Sequence, residues 1–263
     1  MITTYDKFRN RKFDLDLPVH IFGTSSAGNS VYLSGINTLI DLGLPYNRYK
    51  QVSPDFFLEV DFIILTHIHG DHLNPATLKH IMTAYPHIKI LLSTEMAQDI
   101  QTTPRVAKTL TPEFIQGHIN QFRTAQPCQL QSRKATFELI THKVPHGNIV
   151  NIAIEIRYHN KHILYSSDID TLDDLSTIDN GYDGIPHPNF NDKFDIAFLE
   201  ANYDADLLNK ALAENPNDIK AKGNLRHMSE QEAWAYIQRY LKDDGIFIPL
   251  HASSTFGTLI QQL

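Results

Sequence analysis

The sequence predicts an α/β fold of two β-sheets with helices on their outer faces. Three observations lead there. Short apolar, strand-like runs recur along the chain, and helical segments fall between groups of them. One continuous apolar run, residues 61–66, ends in a dense cluster of histidine and aspartate. With 263 residues, 42% of them hydrophobic, the chain can bury a large core, and a single domain over residues 1–263 is the expected division.

The elements follow in order. Residues 1–17 mix charges, lack an apolar core of signal-peptide length and read as a polar extension. Residues 19–23 and 31–33 read as strands joined by a small-residue turn over 24–30. Residues 38–42 are another strand-like run, stopped by Gly43 and Pro45. Residues 61–66 (DFIILT) are apolar almost throughout, as in a strand covered on both faces. Helical character at 75–85 is followed by a strand at 88–92 and a short helix at 94–100. Residues 101–135, polar and interrupted by proline, carry no assigned role. Strand signals return at 136–140, 149–158, 162–165 and 194–199, then a helix at 204–214. A second helix at 229–241 opens with Ser229 and Glu232 at capping-box spacing, before Trp234, Ile237 and Leu241. A final strand at 246–250 delivers His251.

Bulk chemistry narrows the function classes. The formal net charge is −7, so contact with nucleic acid requires a local basic patch, while bound divalent cations would invert the potential of an acidic pocket. Cys128 is the only cysteine, which excludes an intrachain disulfide. No apolar run approaches the roughly 20 residues of a membrane-spanning helix. A cytoplasmic protein without membrane contact is expected.

The chemistry centres on Thr66-His67-Ile68-His69-Gly70-Asp71-His72. On an extended stretch His67 and His69 point to the same side. A turn at Gly70 into a helix start would bring Asp71 and His72 back toward the same point. Such a set suits two adjacent divalent ions with mixed nitrogen and oxygen ligation. A histidine-rich surface loop is the plain alternative, but the cluster ends an apolar strand, where open sheets place their sites.

THIHGDH matches the HxHxDH signature of the metallo-β-lactamase superfamily, and the chain resembles that family over roughly residues 19–255. LIDLG (39–43) looks like the family's preceding strand, and His146, in VPHGNIVNIAIEI, resembles its next ligand. Asp168, in ILYSSDID, looks like the aspartate that bridges both metals, and His251, in IFIPLHASS, resembles the last ligand. The resemblance implies an αββα sandwich of two mixed β-sheets flanked by helices. It also implies two divalent metal ions: His67, His69 and His146 on one, Asp71, His72 and His251 on the other, and Asp168 between them. Zinc is the default metal for such N/O sites, and manganese also suits because carboxylates contribute. His142 is the rival for His146 and Asp170 for Asp168. His20, His80, His87, His118, His159, His162 and His187 lack partner spacing and read as structural or surface residues.

Three further segments resemble one branch of the superfamily. GTSSAGNS (23–30) and FLEANYD (198–204) look like segments of the YycJ/WalJ-type group, which is related to nucleases. RHMSEQEA (226–233) resembles the additional histidine box of that group and of RNase Z-like transfer-RNA 3′-processing enzymes. His227 precedes the capped helix at Ser229, and a helix N-terminus carries unpaired N–H groups that favour phosphate. Ser167, Ile169 and residues 252–254 depart from the family's usual residues, and neither a β-CASP insertion between Asp168 and His227 nor a glycine-rich tRNA-grasping arm is apparent.

The resemblance therefore implies a binuclear-metal-dependent phosphodiesterase acting through a metal-bridging hydroxide. Asp71 would orient that hydroxide and His227 assist the leaving oxygen. The expected substrate is a phosphodiester, as nucleic acid in a DNA exonuclease-like or RNA-cleaving nuclease, or as a cyclic nucleotide; a homodimer is compatible with the chain. A carboxyl- or thioester hydrolase of lactonase or glyoxalase II type is the enzymatic alternative, in which His227 is dispensable. A non-catalytic binding protein on the same fold is the other, opposed by the complete ligand set.

Overall fold

In the computed structural model, which describes residues 18–170, 186, 188 and 190–259, the apolar runs form two six-stranded mixed sheets. The extension at residues 1–17 and His187 lie outside the described residues. The chain divides into two compact units, with the boundary between Phe137 and Glu138.

The first unit holds strands β1 (Val19–Ser25), β2 (Gly28–Leu33), β3 (Thr38–Ile40), β4 (Phe62–Ile64), β5 (Lys89–Ser93), β6 (Ile119–Phe122) and β7 (Cys128–Gln131). Its helices are α1 (Tyr46–Lys50), α2 (Phe56–Glu59), α3 (Pro75–Ala84), α4 (Thr94–Thr102), α5 (Pro104–Ala107) and α6 (Pro112–His118). The first sheet runs β1 to β6 in sequence order, antiparallel through β3 and parallel from β3 onward. Ile40, Ile63, Ile64 and Leu92 are fully buried, each such side chain contributing about 1.5–3 kcal/mol. Asn74 caps α3 by accepting from Thr77 N at 3.0 Å, Pro75 supplies the first helical residue, and Leu78, Ile81 and Met82 are buried.

The second sheet is ordered β12-β11-β10-β9-β8-β7. Its strands are β8 (Thr136–Val144), β9 (Asn151–Tyr158), β10 (Lys161–Ser166), β11 (Phe194–Glu200) and β12 (Leu241–Leu250). β10, β11 and β12 are parallel neighbours, whereas β8, β9 and β10 are antiparallel. Helices α7 (Ala205–Glu214), α8 (Ile219–Asn224) and α9 (Glu230–Tyr240) lie between β11 and β12 in sequence. Ala233, Tyr236 and Ile237 of α9 join Leu164, Phe194, Ala197 and Phe247 of the strands in one buried cluster. The expected capping box is present: Ser229 Oγ accepts from Glu232 N at 3.2 Å, while a Glu232 carboxylate oxygen accepts from Ser229 N at 2.9 Å.

Several expectations are corrected. The small-residue segment 24–30 lies mostly in a hairpin whose connection is residues 26–27, because Gly23, Gly28 and their neighbours tolerate close backbone pairing. Residues 101–135, unreadable in sequence, hold two short helices and two strands. Their turns are set by Pro104 and Pro112, each at the start of a helix. No helix among the described residues is long and apolar enough to cross a membrane.

Candidate functional site

Two clusters of chemistry-bearing side chains stand out, one in each unit. In the first unit, β4 and Leu65 run as a buried segment into Thr66 and His67, both fully buried, while His69 is exposed. The chain then turns tightly: His72 N and Leu73 N both donate to His69 O, at 3.0 and 2.7 Å. The turn, rather than the expected helix start, returns Asp71 and His72 toward His67; α3 begins only after the Asn74 cap. The His67 ring centroid lies 4.9 Å from that of His69 and 4.1 Å from that of His72. His72 Nε2 is 3.9 Å from Asp71 Oδ2.

Asp41, not singled out in the sequence, organises this cluster. It is fully buried, with φ of 60°, a left-handed conformation that costs about 1–3 kcal/mol for such a residue. Its carboxylate accepts from Thr66 N at 2.8 Å, from Thr66 Oγ1 at 2.9 Å and from His72 Nδ1 at 2.6 Å. Because Thr66 gives its only hydroxyl proton to Asp41, it can only accept from His67 Nδ1, 3.0 Å away. Both imidazoles are thereby fixed in the tautomer whose Nε2 carries the lone pair, the form a metal requires. Asn29 places its amide Nδ2 2.8 Å from His72 Nε2 and accepts no described bond at its buried Oδ1. Gly43 permits this packing, since a Cβ there would lie 1.7 Å from Asp71 O.

In the second unit the parallel strands β10, β11 and β12 bring three acid–base residues to their carboxyl ends: Asp168, Glu200 and His251. Asp168 and His251 have φ of 55° and 52°, so two of the three are again held in the strained left-handed region. Asn151 ties the first bend down by donating Nδ2 to Ser167 O and Asp168 O, and Asn202 the second by donating to His251 O at 2.6 Å. His227 joins them from the segment between α8 and α9, where Asn202 N donates to Met228 O and Glu230 N to Tyr203 O. Asp168, Glu200, His227 and His251 each offer one ligand atom within 4.8 Å of the others. His251 Nδ1 is 3.0 Å from Asp168 Oδ1 and 3.2 Å from Glu200 Oε1.

Glu200 is the residue that sequence reasoning missed here. It is fully buried, accepts from Ile169 N at 2.5 Å, and receives His227 Nδ1 at 2.7 Å. Burial alone would raise its pKa, but His227 and His251 outweigh that and hold it below the ordinary value. Burial alone would lower the pKa of His227, yet the charge and hydrogen bond of Glu200 leave it raised. His227 Nδ1 is thus committed to a carboxylate, and Nε2 is the nitrogen left for a ligand. The available signal was a lone acid ending an apolar strand run, the same signal that marks Asp41.

The remaining histidines sort as follows. His146 Nε2 lies 3.6 Å from Asp168 Oδ2, and its ring centroid is 5.8 Å from that of His227. Asp170, the rival of Asp168, is 3.5 Å from the other nitrogen of His146 and accepts from Gly147 N at 2.8 Å. His142 instead faces Glu155, at 3.3 Å, and His162 Nε2 meets the same carboxylate at 2.8 Å. His20, His80, His87 and His159 make aromatic contacts with Phe22, Tyr46, Tyr85 and Tyr158. Of His118 the backbone alone is described, at the end of α6. The donor set, imidazoles beside carboxylates, suits divalent metal binding.

Comparison with known proteins agrees with this architecture. A sequence profile described as the beta-lactamase superfamily domain matches residues 36–251. The metallo-beta-lactamase fold protein YhfI from Bacillus subtilis superposes with a TM-score of 0.58 at 17% identity, over 93% of this chain and 90% of that one. The short form of human tRNase Z gives 0.55 at 16% identity, over 90% and 92%. Zn(2+)-bound PqqB from Methylobacterium extorquens gives 0.56 at 13% identity, over 92% and 91%. A search of curated proteins finds no match.

Proposed function

The chain belongs to the beta-lactamase superfamily and has the metallo-β-lactamase fold; from that premise we propose that it is a metal-dependent phosphodiesterase, acting on nucleic acid or a cyclic nucleotide. The observation that carries the proposal is His227, held through Nδ1 by the buried Glu200 with its ring 5.0 Å from that of His251. An acid of this kind serves a reaction that expels an alkoxide.

The ligand assignment comes from the order of the family's motifs. His67, His69 and His146 would hold one ion, Asp71, His72 and His251 the other, with Asp168 shared and zinc the first metal to test. A bound pair of divalent ions makes hydroxide available near neutral pH and stabilises charge on phosphate oxygens. The chain's own residues do the rest. Asp41 and Thr66 hold His72 and His67 with Nε2 free of protons. Asp71 would accept a proton from the attacking water. His227, whose pKa the charge and hydrogen bond of Glu200 raise, would when protonated give its Nε2 proton to the leaving oxygen as the P–O bond breaks. Sharing a fold with a tRNase Z is compatible with such chemistry.

The test is hydrolysis by the zinc- or manganese-reconstituted protein of a dinucleotide phosphodiester, bis-p-nitrophenyl phosphate, a thioester and a lactone. The phosphodiesters should be preferred, and Asp168→Ala should abolish their turnover. His227→Ala should slow the dinucleotide by about 10²–10⁴-fold, the usual share of a general acid. It should slow the nitrophenyl ester much less, because nitrophenolate leaves without a proton. Preference for the thioester or lactone, or equal losses on both phosphodiesters, would overturn the reading.

A further inference from the structure

We propose that Arg105 is a specificity-determining residue that receives the anionic phosphate of the substrate beside the THIHGDH turn; the inference rests on the phosphodiesterase reading and deepens it. Arg105 belongs to the segment 101–135 in which the sequence offered no role. It sits on α5, whose place is fixed by fully buried Val106 and by Val106 N and Ala107 N donating to Thr103 O at 2.9 Å. The backbone is anchored while the Arg105 residue itself is exposed.

Its guanidinium lies directly against Gly70, the residue between His69 and Asp71. A Cβ built at Gly70 would stand 2.5 Å from Arg105 Nη1, 3.1 Å from Nη2 and 3.2 Å from Cζ. Gly70 is not among the residues with positive φ, so its backbone conformation does not call for glycine. A side chain at Gly70 would make the guanidinium shift, which shows how closely Arg105 approaches the turn. Among the described residues Arg105 has no ion pair and no side-chain hydrogen bond. Its planar donor fork therefore stays open for a ligand, against Gly70, which is the chain neighbour of the candidate ligands His69 and Asp71.

The chemistry that matches an open guanidinium is an anion with two oxygens in a plane, and a phosphodiester presents its two non-bridging oxygens in that way. A neutral lactone or thioester offers no such group. Arg105 thus supplies the local cation that an acidic chain needs to attract phosphate. The predicted signature is on binding: it acts alike on bound substrate and transition state, so KM changes and kcat does not.

The experiment compares metal-loaded wild type with Arg105→Gln, Arg105→Lys and, as an equal change of net charge, Lys50→Gln. Metal content and Tm are checked first. Kinetics on bis-p-nitrophenyl phosphate and calorimetric binding of inorganic phosphate are then measured. Arg105→Gln should raise KM and weaken phosphate binding about tenfold, the size of one charge-assisted interaction, with kcat within about twofold. Arg105→Lys should recover part of the loss, and Lys50→Gln should match wild type. Unchanged KM and unchanged phosphate affinity in Arg105→Gln, or the same loss in Lys50→Gln, would overturn the role of Arg105 while leaving the phosphodiesterase reading intact. If wild type turns over no phosphodiester yet Arg105→Gln still loses phosphate binding, the reaction assignment fails and the anion site stands.

Discussion

At the scale of single residues, the metal-type histidines depend on partners that are not themselves histidines. Asp41 accepts from His72 Nδ1 and from both the amide and hydroxyl of Thr66, so one carboxylate sets two tautomers. Replacing it by asparagine keeps the volume but presents an N–H to one of these donors. Asp41→Asn is therefore expected to weaken zinc binding by about 10–100-fold, the usual effect of losing a partner behind a metal-bound histidine. Competition with a chromophoric chelator measures it, and wild-type affinity in Asp41→Asn would remove Asp41 from the argument. The same logic separates Asp168 from Asp170. Asp168 meets His251 at 3.0 Å and belongs to the four-residue cluster, whereas Asp170 backs His146 and a glycine amide. Four of the residues that shape these clusters, Asp41, Glu200, Asn151 and Asn202, are not singled out by the sequence analysis. A lone acid or amide has no periodicity or motif spacing, and only the fold shows which backbone group or imidazole it meets.

At the scale of elements, three neighbouring strands share a buried carboxylate away from these clusters. Glu155 of β9 meets His142 of β8, His162 of β10 and Arg157 of its own strand, the closest contacts being 2.8 and 2.9 Å. Burial alone would raise the Glu155 pKa, but hydrogen bonds from His142 and His162, with the charges of His162 and Arg157, hold it well below its ordinary 4.5. A depressed folded-state pKa contributes stability that is present above the unfolded value and is lost as pH falls below it toward the folded value. Wild type should accordingly lose stability as pH falls below about 4.5, and Glu155→Gln should start less stable but fall less steeply over that range. Urea midpoints at a series of pH values between about 6 and 3 would show it. Parallel slopes would mean that Glu155 is not part of the acid response. The sequence showed β8, β9 and β10 as strands by their apolar or alternating runs, but not this pairing, since which polar side chains meet depends on which strands become neighbours and in what register, and no single strand carries that.

At the scale of the whole molecule, what was legible and what was not divides along physical lines. Strand-rich order, the capped helix at Ser229 and the cluster after residues 61–66 are local or periodic features, and each has its counterpart in the structure. The elements within residues 101–135 are short, and their helices begin at prolines, which sequence reading took for interruptions. Arg105 was hidden with them. The proposed ligands, His67, His69, Asp71 and His72 early in the chain and His146, Asp168 and His251 late, give one further consequence. A ligand that binds the folded but not the unfolded chain stabilises it by mass action, about 2.7 kcal/mol at a hundredfold excess over Kd. In a protein of this size each kcal/mol is worth about 2–4 °C. Chelation should therefore lower Tm by several degrees, and titrating zinc back should raise it in step with the logarithm of metal concentration. Asp168→Ala should flatten that dependence, because a carboxylate shared by two ions supports both. A Tm indifferent to chelator and metal in the wild-type protein would mean that these residues hold no ion, and the proposed reaction would then lose its source of hydroxide.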